Sequence, residues 1–82
     1  MNPEELLALL GWIPQEEWRR REVADLVRVL PVSDDAVELR RWFRRPQASL
    51  GHRTPLEALR LAKHPDDGLL DELRRLAVEA RR

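Results

Sequence analysis

Trp42-Phe43-Arg44-Arg45-Pro46-Gln47-Ala48-Ser49-Leu50-Gly51-His52-Arg53-Thr54-Pro55-Leu56-Glu57 holds a helix end, a turn and a helix start in one unbroken stretch. Proline has no amide donor and clashes with the preceding turn, so Pro46 closes whatever helix carries Trp42. Gly51 admits a backbone conformation closed to bulkier residues, and Leu50 beside it is the one large apolar side chain available to tuck the loop under a bundle. Thr54, Pro55 and Glu57 then give a cap, a first-turn proline and a carboxylate three residues on, which is a capping box. The stretch predicts two helices joined by a loop through Gln47–Arg53.

Outward toward the C-terminus, Leu56, Leu59 and Ala62 or Lys63 continue at helical spacing, and His64-Pro65-Asp66-Asp67-Gly68 forms a turn and restart. The last helix is expected to carry Leu69, Leu73, Leu76 and Ala80 on one stripe, widened by Leu70 and Ala77. Toward the N-terminus, Ala36, Leu39, Trp42 and Phe43 line one side of a helix and Arg40, Arg41, Arg44 and Arg45 the other. Ser33 is its expected N-cap, with Asp34 and Asp35 in the first turn. Pro31 ends a run of Val23, Leu26, Val27 and Leu30, and Pro14 is expected to open a helix that turns Trp18 toward the core. Asn2, Pro3 and Glu5 begin a first helix with Leu6, Leu7 and Leu10 as its apolar stripe, which Gly11 stops. No stretch alternates as a strand would. The expectation is all-α: a compact bundle of about five short helices in a single domain.

The chain has 82 residues, 43% of them apolar. A chain of that size buries only roughly 60–65% of its unfolded surface, so every helix must share one core and oligomerisation or a partner can add stability. There is no cysteine, hence no disulfide, thiolate metal site or thiol nucleophile. The N-terminus lacks the basic region and apolar run of a signal peptide, and no apolar stretch approaches the roughly 20 residues that span a bilayer. A cytoplasmic protein without membrane association is expected. Fifteen basic and fifteen acidic residues cancel, which argues against bulk nucleic-acid binding, where phosphate contacts favour a basic excess.

The pattern of Trp42, Pro46, Leu50, Gly51, Thr54, Pro55 and Leu56 resembles the toxin-binding domain of Xre/MbcA/ParS-type antitoxins. In that family a tryptophan helix is followed by a proline, a leucine-glycine turn and a threonine-proline-leucine helix start. The resemblance covers residues 35–82, and the segment Leu69 to Ala80 matches the family's closing helix in place and length. It divides the chain into an N-terminal helical region over 1–32, a candidate remnant of a helix-turn-helix, and a toxin-binding helical region over 33–82, together one compact domain. The resemblance implies binding and neutralisation of a cognate RES-type toxin, an enzyme that degrades NAD, without catalysis by the antitoxin itself. Many members also bind their own operator through an N-terminal helix-turn-helix. Members with the full DNA-binding region are longer than this chain, in which Leu6 to Arg21 is similar to the end of that region at most. A DNA-binding autoregulator and a helical homo-oligomer of unrelated role stand as alternatives, a homodimer being the default symmetric form.

The candidate partner-binding residues are Arg44, Arg45, His52, Arg53, Arg74, Arg81 and Arg82. The arginines Arg40, Arg41, Arg44 and Arg45 read either as an anion- or partner-binding patch or as a salt-bridged surface. Arg81 and Arg82 suit an anion-binding NAD pocket, since the family's C-terminal end approaches the toxin's active site; the alternative is a frayed terminus. Arg19-Arg20-Arg21 reads as a solvated face paired with Glu16, Glu17, Glu22 and Asp25, or as phosphate contacts. Trp12 reads as an oligomer-surface residue or an inter-helix packer. The two histidines, His52 and His64, lie on loops without metal-ligand spacing. Asp66, Asp67, Asp71 and Glu72 form an acidic cluster, of which Asp66 and Asp67 are read through the helix dipole rather than a cation. No catalytic, cofactor-binding or metal-binding residue is expected, nor a small-molecule substrate.

Overall fold

The computed structural model describes residues 3–31 and 34–81. Its element order is α1 (Pro3–Leu10), α2 (Glu17–Val29), α3 (Ala36–Phe43), a 3-10 turn (Ala48–Leu50), α4 (Pro55–Leu61) and α5 (Gly68–Ala80). Among the described residues there are five α-helices and no strands, only an isolated antiparallel bridge between Gln47 and Arg53. The all-α single domain expected from the sequence is what the chain forms.

Helix α1 ends where a left-handed residue becomes available. Gly11 has φ +74°, its amide donates to the Ala8 carbonyl and the Trp12 amide donates to the Leu7 carbonyl, each at 3.1 Å. Those two bonds form a Schellman motif and satisfy carbonyls that the helix itself cannot. Asn2, the expected cap at the other end, lies outside the described residues.

Helix α2 begins at Glu17, not at Pro14. Pro14 is buried, and its carbonyl accepts Arg20 Nη1 at 2.8 Å, with the Gln15 carbonyl accepting the same nitrogen at 3.1 Å. Arg20 thus bonds the carbonyls of the connecting segment, and the helix starts after Glu16, whose side chain makes no cap bond to the helix. Trp12 and Trp18 are half-buried packers against the core, while neighbouring Ile13 is 75% exposed.

The start of α3 also differs from expectation. Ser33 lies outside the described residues, and the cap is Asp35, whose Oδ1 accepts from the amides of Val37 and Glu38 at 3.1 and 3.2 Å. In α4 the capping box forms as read: Glu57 N donates to Thr54 Oγ1 at 3.1 Å and Thr54 N donates to Glu57 Oε1 at 3.0 Å. Ala62 is the buried continuation of this helix and Lys63 is exposed. The buried stripe of α5 is Leu70, Leu73 and Ala77; Leu69 and Leu76 are half-buried and Ala80 is exposed. The core side is therefore rotated from the expected one, because the widening residues lie at its centre.

All five helices and the 3-10 turn feed one cluster. Leu6, Leu7 and Leu10 meet Val23, Leu26, Val27 and Leu30, then Leu39 and Phe43, then Leu50, Ala58, Leu59, Ala62, Leu70, Leu73 and Ala77. Each fully buried leucine contributes roughly 1.5–3 kcal/mol of transfer free energy. Helix α1 packs on α2 and α3, α2 on α5, α3 on α4, and α4 on α5. The regions on either side of residue 32 thus share a single core.

Candidate docking face around Trp42

The motif residues divide by burial. Leu50 and Pro55 are buried, Thr54, Leu56 and Trp42 are half-buried, and Pro46 and Gly51 are exposed. Leu50 sits in the turn that packs on α5. Gly51 has φ +66°, its amide donates to the Ala48 carbonyl at 3.0 Å and the His52 amide donates to the Gln47 carbonyl at 2.9 Å. His52 itself follows at φ +65°, a second left-handed residue that the sequence reading did not single out. Histidine is among the residues enriched there.

The aromatic that anchors α3 is Phe43, with no exposed surface, rather than Trp42. The two rings meet edge to face, with centroids 4.9 Å apart and planes at 85°. Trp42 packs on the core with one part and reaches the surface with the other. There it lines a notch of about 150 Å³, together with Leu30 and Pro31 just after α2, Glu38 and Arg41 from α3, Arg45 just after α3, and Ala80 at the end of α5. Arg41 Nη1 donates to Glu38 Oε1 at 2.9 Å. Helical spacing brings Glu38, Arg41 and Trp42 to one face, the turn after α3 adds Arg45, and the ends of α2 and α5 close the sides.

The other candidate partner-binding residues are placed variously. Arg44, Arg45, His52, Arg53 and Arg81 are exposed; Arg82 lies outside the described residues. Arg53 Nη1 lies 3.4 Å from the Leu50 carbonyl. Arg81 directly follows Ala80, a wall of the notch. Arg74 is held within the chain: Nε donates to Glu22 Oε2 at 3.0 Å, Nη2 to Glu22 Oε1 at 2.6 Å, and Nη1 to Asp71 Oδ1 at 2.9 Å. Its hydrogen bond to Glu22 and the nearby carboxylates push its pKa up. Glu22 is only 6% exposed. Its place beside Val23 and four residues before Leu26 was the available signal, because a carboxylate on a core stripe requires a cation.

The triple arginine of α2 is likewise used internally. Arg19 donates from Nε to Glu16 Oε2 at 2.9 Å, from Nη1 to the Leu59 carbonyl, and from the same nitrogen to the Arg60 carbonyl at 3.3 Å. Its guanidinium carbon lies 4.4 Å from the centroid of the Trp18 ring. One side chain thereby caps the end of α4 while stacking on its neighbour. Of the triplet, Arg21 alone is exposed, paired with Glu17 at 3.3 Å. The pairing expected for Glu22 and Asp25 is corrected: Glu22 goes to Arg74 and Asp25 to Arg28.

The acidic residues near α5 are similarly committed. Asp67 caps α5 by accepting from the Leu69 amide at 3.0 Å and also accepts from the Lys63 amide at 3.3 Å. These bonds hold its pKa below the usual value. Asp71 pairs with Arg74, and Glu72 with Arg75, which lowers the Glu72 pKa. Among the described residues no group of three or more ligating side chains could hold a metal ion, and no helix is long and apolar enough to cross a membrane. The chain matches no family model, no curated protein and no solved structure.

Proposed function

We propose that this chain is an antitoxin-type binding protein that neutralises a RES-type, NAD-degrading toxin in the cytoplasm by docking on it, with no chemistry of its own. The observation that carries the reading is the placement of Trp42. The motif tryptophan remains half-exposed beside a small notch, flanked by Arg41 and Arg45. Tryptophan and arginine are the residues that most often anchor protein interfaces, each anchor contributing about 2 kcal/mol or more. The notch also borders the end of α5 at Ala80, so a partner seated over Trp42 would lie beside Arg81 as well. That agrees with the resemblance, in which the C-terminal end approaches the toxin's active site.

Operator binding gains less support from the same geometry. Arg19 and Arg20 point their donors at carbonyls of this chain, and Arg21 and Arg28 face Glu17 and Asp25. The reading is tested by co-expression with a RES-family toxin encoded beside this chain. Relief of growth arrest, recovery of cellular NAD and co-purification of the pair are expected. Absence of both rescue and co-purification overturns it.

A further inference from the structure

Successive residues of a helix differ by about 100° in direction, and α3 buries only the side that carries Leu39 and Phe43. Its remaining surface holds Arg40 and Arg41 with Glu38, and the turn directly after it adds Arg44 and Arg45. Arg41 is paired with Glu38. Among the described residues Arg40, Arg44 and Arg45 form no ion pair. The same is the case for Arg20, Arg53, Arg60 and Arg81, but only here do three such arginines cluster within six positions. Arg40 and Arg41 lie in the last turn of α3 with Arg44 at its C-cap and Arg45 just beyond, so four like charges crowd one helix end and repel. Their position near the helix C-terminus returns roughly 0.3–1 kcal/mol. The ridge thus gives the fold little, in a chain whose total charge is zero.

The notch adjoins the ridge. Leu30, Pro31, Trp42 and Ala80 give it apolar walls, Glu38, Arg41 and Arg45 complete its lining, and its volume of about 150 Å³ suits one apolar side chain. We infer that the C-terminal end of α3 and the turn after it dock an acidic segment of a partner polypeptide, with an apolar side chain of that segment in the notch against Trp42 and flanking carboxylates on Arg44 and Arg45. The inference rests on the proposed docking role of this face and specifies the chemistry of what it takes. Charge complementarity selects an anion, and the apolar walls Leu30, Pro31, Trp42 and Ala80 together with the acidic Glu38 favour a polypeptide over a nucleic-acid backbone. Such a backbone offers no apolar side chain for those walls and would bring its phosphates against Glu38.

The three tryptophans give three indole N–H signals in a nitrogen–proton correlation spectrum, so a titration reports binding and folding together, even when binding is weak. The probes are a capped glutamate-rich peptide with one central leucine, an all-glutamate peptide, and a short DNA duplex. The leucine-containing peptide is expected to move the Trp42 signal while leaving Trp12 and Trp18 in place, and to bind about tenfold more tightly than the all-glutamate peptide. In the Arg44→Ala/Arg45→Ala variant, whose dispersed spectrum reports an intact fold, its affinity should drop by about tenfold. An unmoved Trp42 signal, unchanged affinity in the double variant, or tighter binding of the duplex overturns the inference. No toxin enters this titration. A Trp42 response without toxin co-purification removes the toxin alone, and toxin binding without a Trp42 response removes the acidic-segment site alone.

Discussion

Glu22 and Arg74, 52 positions apart in the chain, meet through two parallel hydrogen bonds that tie α2 to α5. Glu22 is buried while the Arg74 side chain is 45% exposed, so removing the arginine strands a carboxylate that water reaches poorly. Arg74→Ala should lower unfolding free energy by about 2–3 kcal/mol, below the full cost of breaking a buried pair because the cation is half-solvated. Replacing both residues by leucine should recover most of that loss. Urea unfolding of the single and double variants checks both values.

Leu50 carries the motif turn into the core. Leu50→Ala removes a side chain that is 2% exposed and should destabilise by about 3 kcal/mol, lowering Tm by roughly 12 °C or more. Thermal unfolding followed by circular dichroism measures the shift; a change of a degree or two would mean that the turn does not anchor the bundle.

The two left-handed residues of that turn should respond differently. A Cβ at Gly51 would meet only Arg53 Nη1, at an ordinary 3.5 Å, so Gly51→Ala carries the backbone penalty alone, about 1 kcal/mol. His52→Gly relieves strain but enlarges the unfolded ensemble, and the two effects should leave stability within about 1 kcal/mol of the parent. Chemical denaturation of the pair separates the cases.

Acid should loosen the helix starts. Hydrogen bonds from Thr54 hold the Glu57 pKa down, and the Leu69 and Lys63 amides do the same for Asp67. A carboxylate with a lowered folded pKa contributes stability that is complete above its unfolded pKa and is lost as pH falls through the folded value. Stability should therefore decline below about pH 4. Thr54→Ala should cost about 1 kcal/mol at neutral pH through the lost cap. It should only lessen the Glu57 part of the decline, because the amide of residue 54 still donates to the Glu57 carboxylate. Urea midpoints across the acid range read out both effects.

If the proposed docking role holds, Trp42→Ala should weaken partner binding more than it weakens the fold. Because Trp42 is half-exposed, the stability loss should stay below the roughly 3–5 kcal/mol expected of a fully buried aromatic. Partner affinity should fall about 30-fold or more, the scale of an interface anchor. Calorimetric titration of the folded variant decides between an anchor and a mere packer.

The fold was most legible where one residue does one local job. Thr54 and Glu57 cap α4 as their spacing requires, and Gly11 and Gly51 take the left-handed positions. What escaped was set by partners distant in sequence. Pro14 reads as a helix start until Arg20 is seen to bond its carbonyl, and Glu22 reads as a surface acid until α5 brings Arg74. In α5, leucines and alanines lie on adjoining stripes, so periodicity alone leaves the buried side undetermined by one residue. The motif itself was visible in the sequence. The notch was not, because its walls come from the ends of α2, α3 and α5.

The two rivets on α2, Arg19 on the end of α4 and Glu22 on α5, bear on how this protein could be engineered. Residues 34–82 carry the whole motif and invite excision as a portable module. Such a graft would expose to water the flank of α5 that α2 covers, and would uncap α4. Fusions and fragments should keep the first two helices.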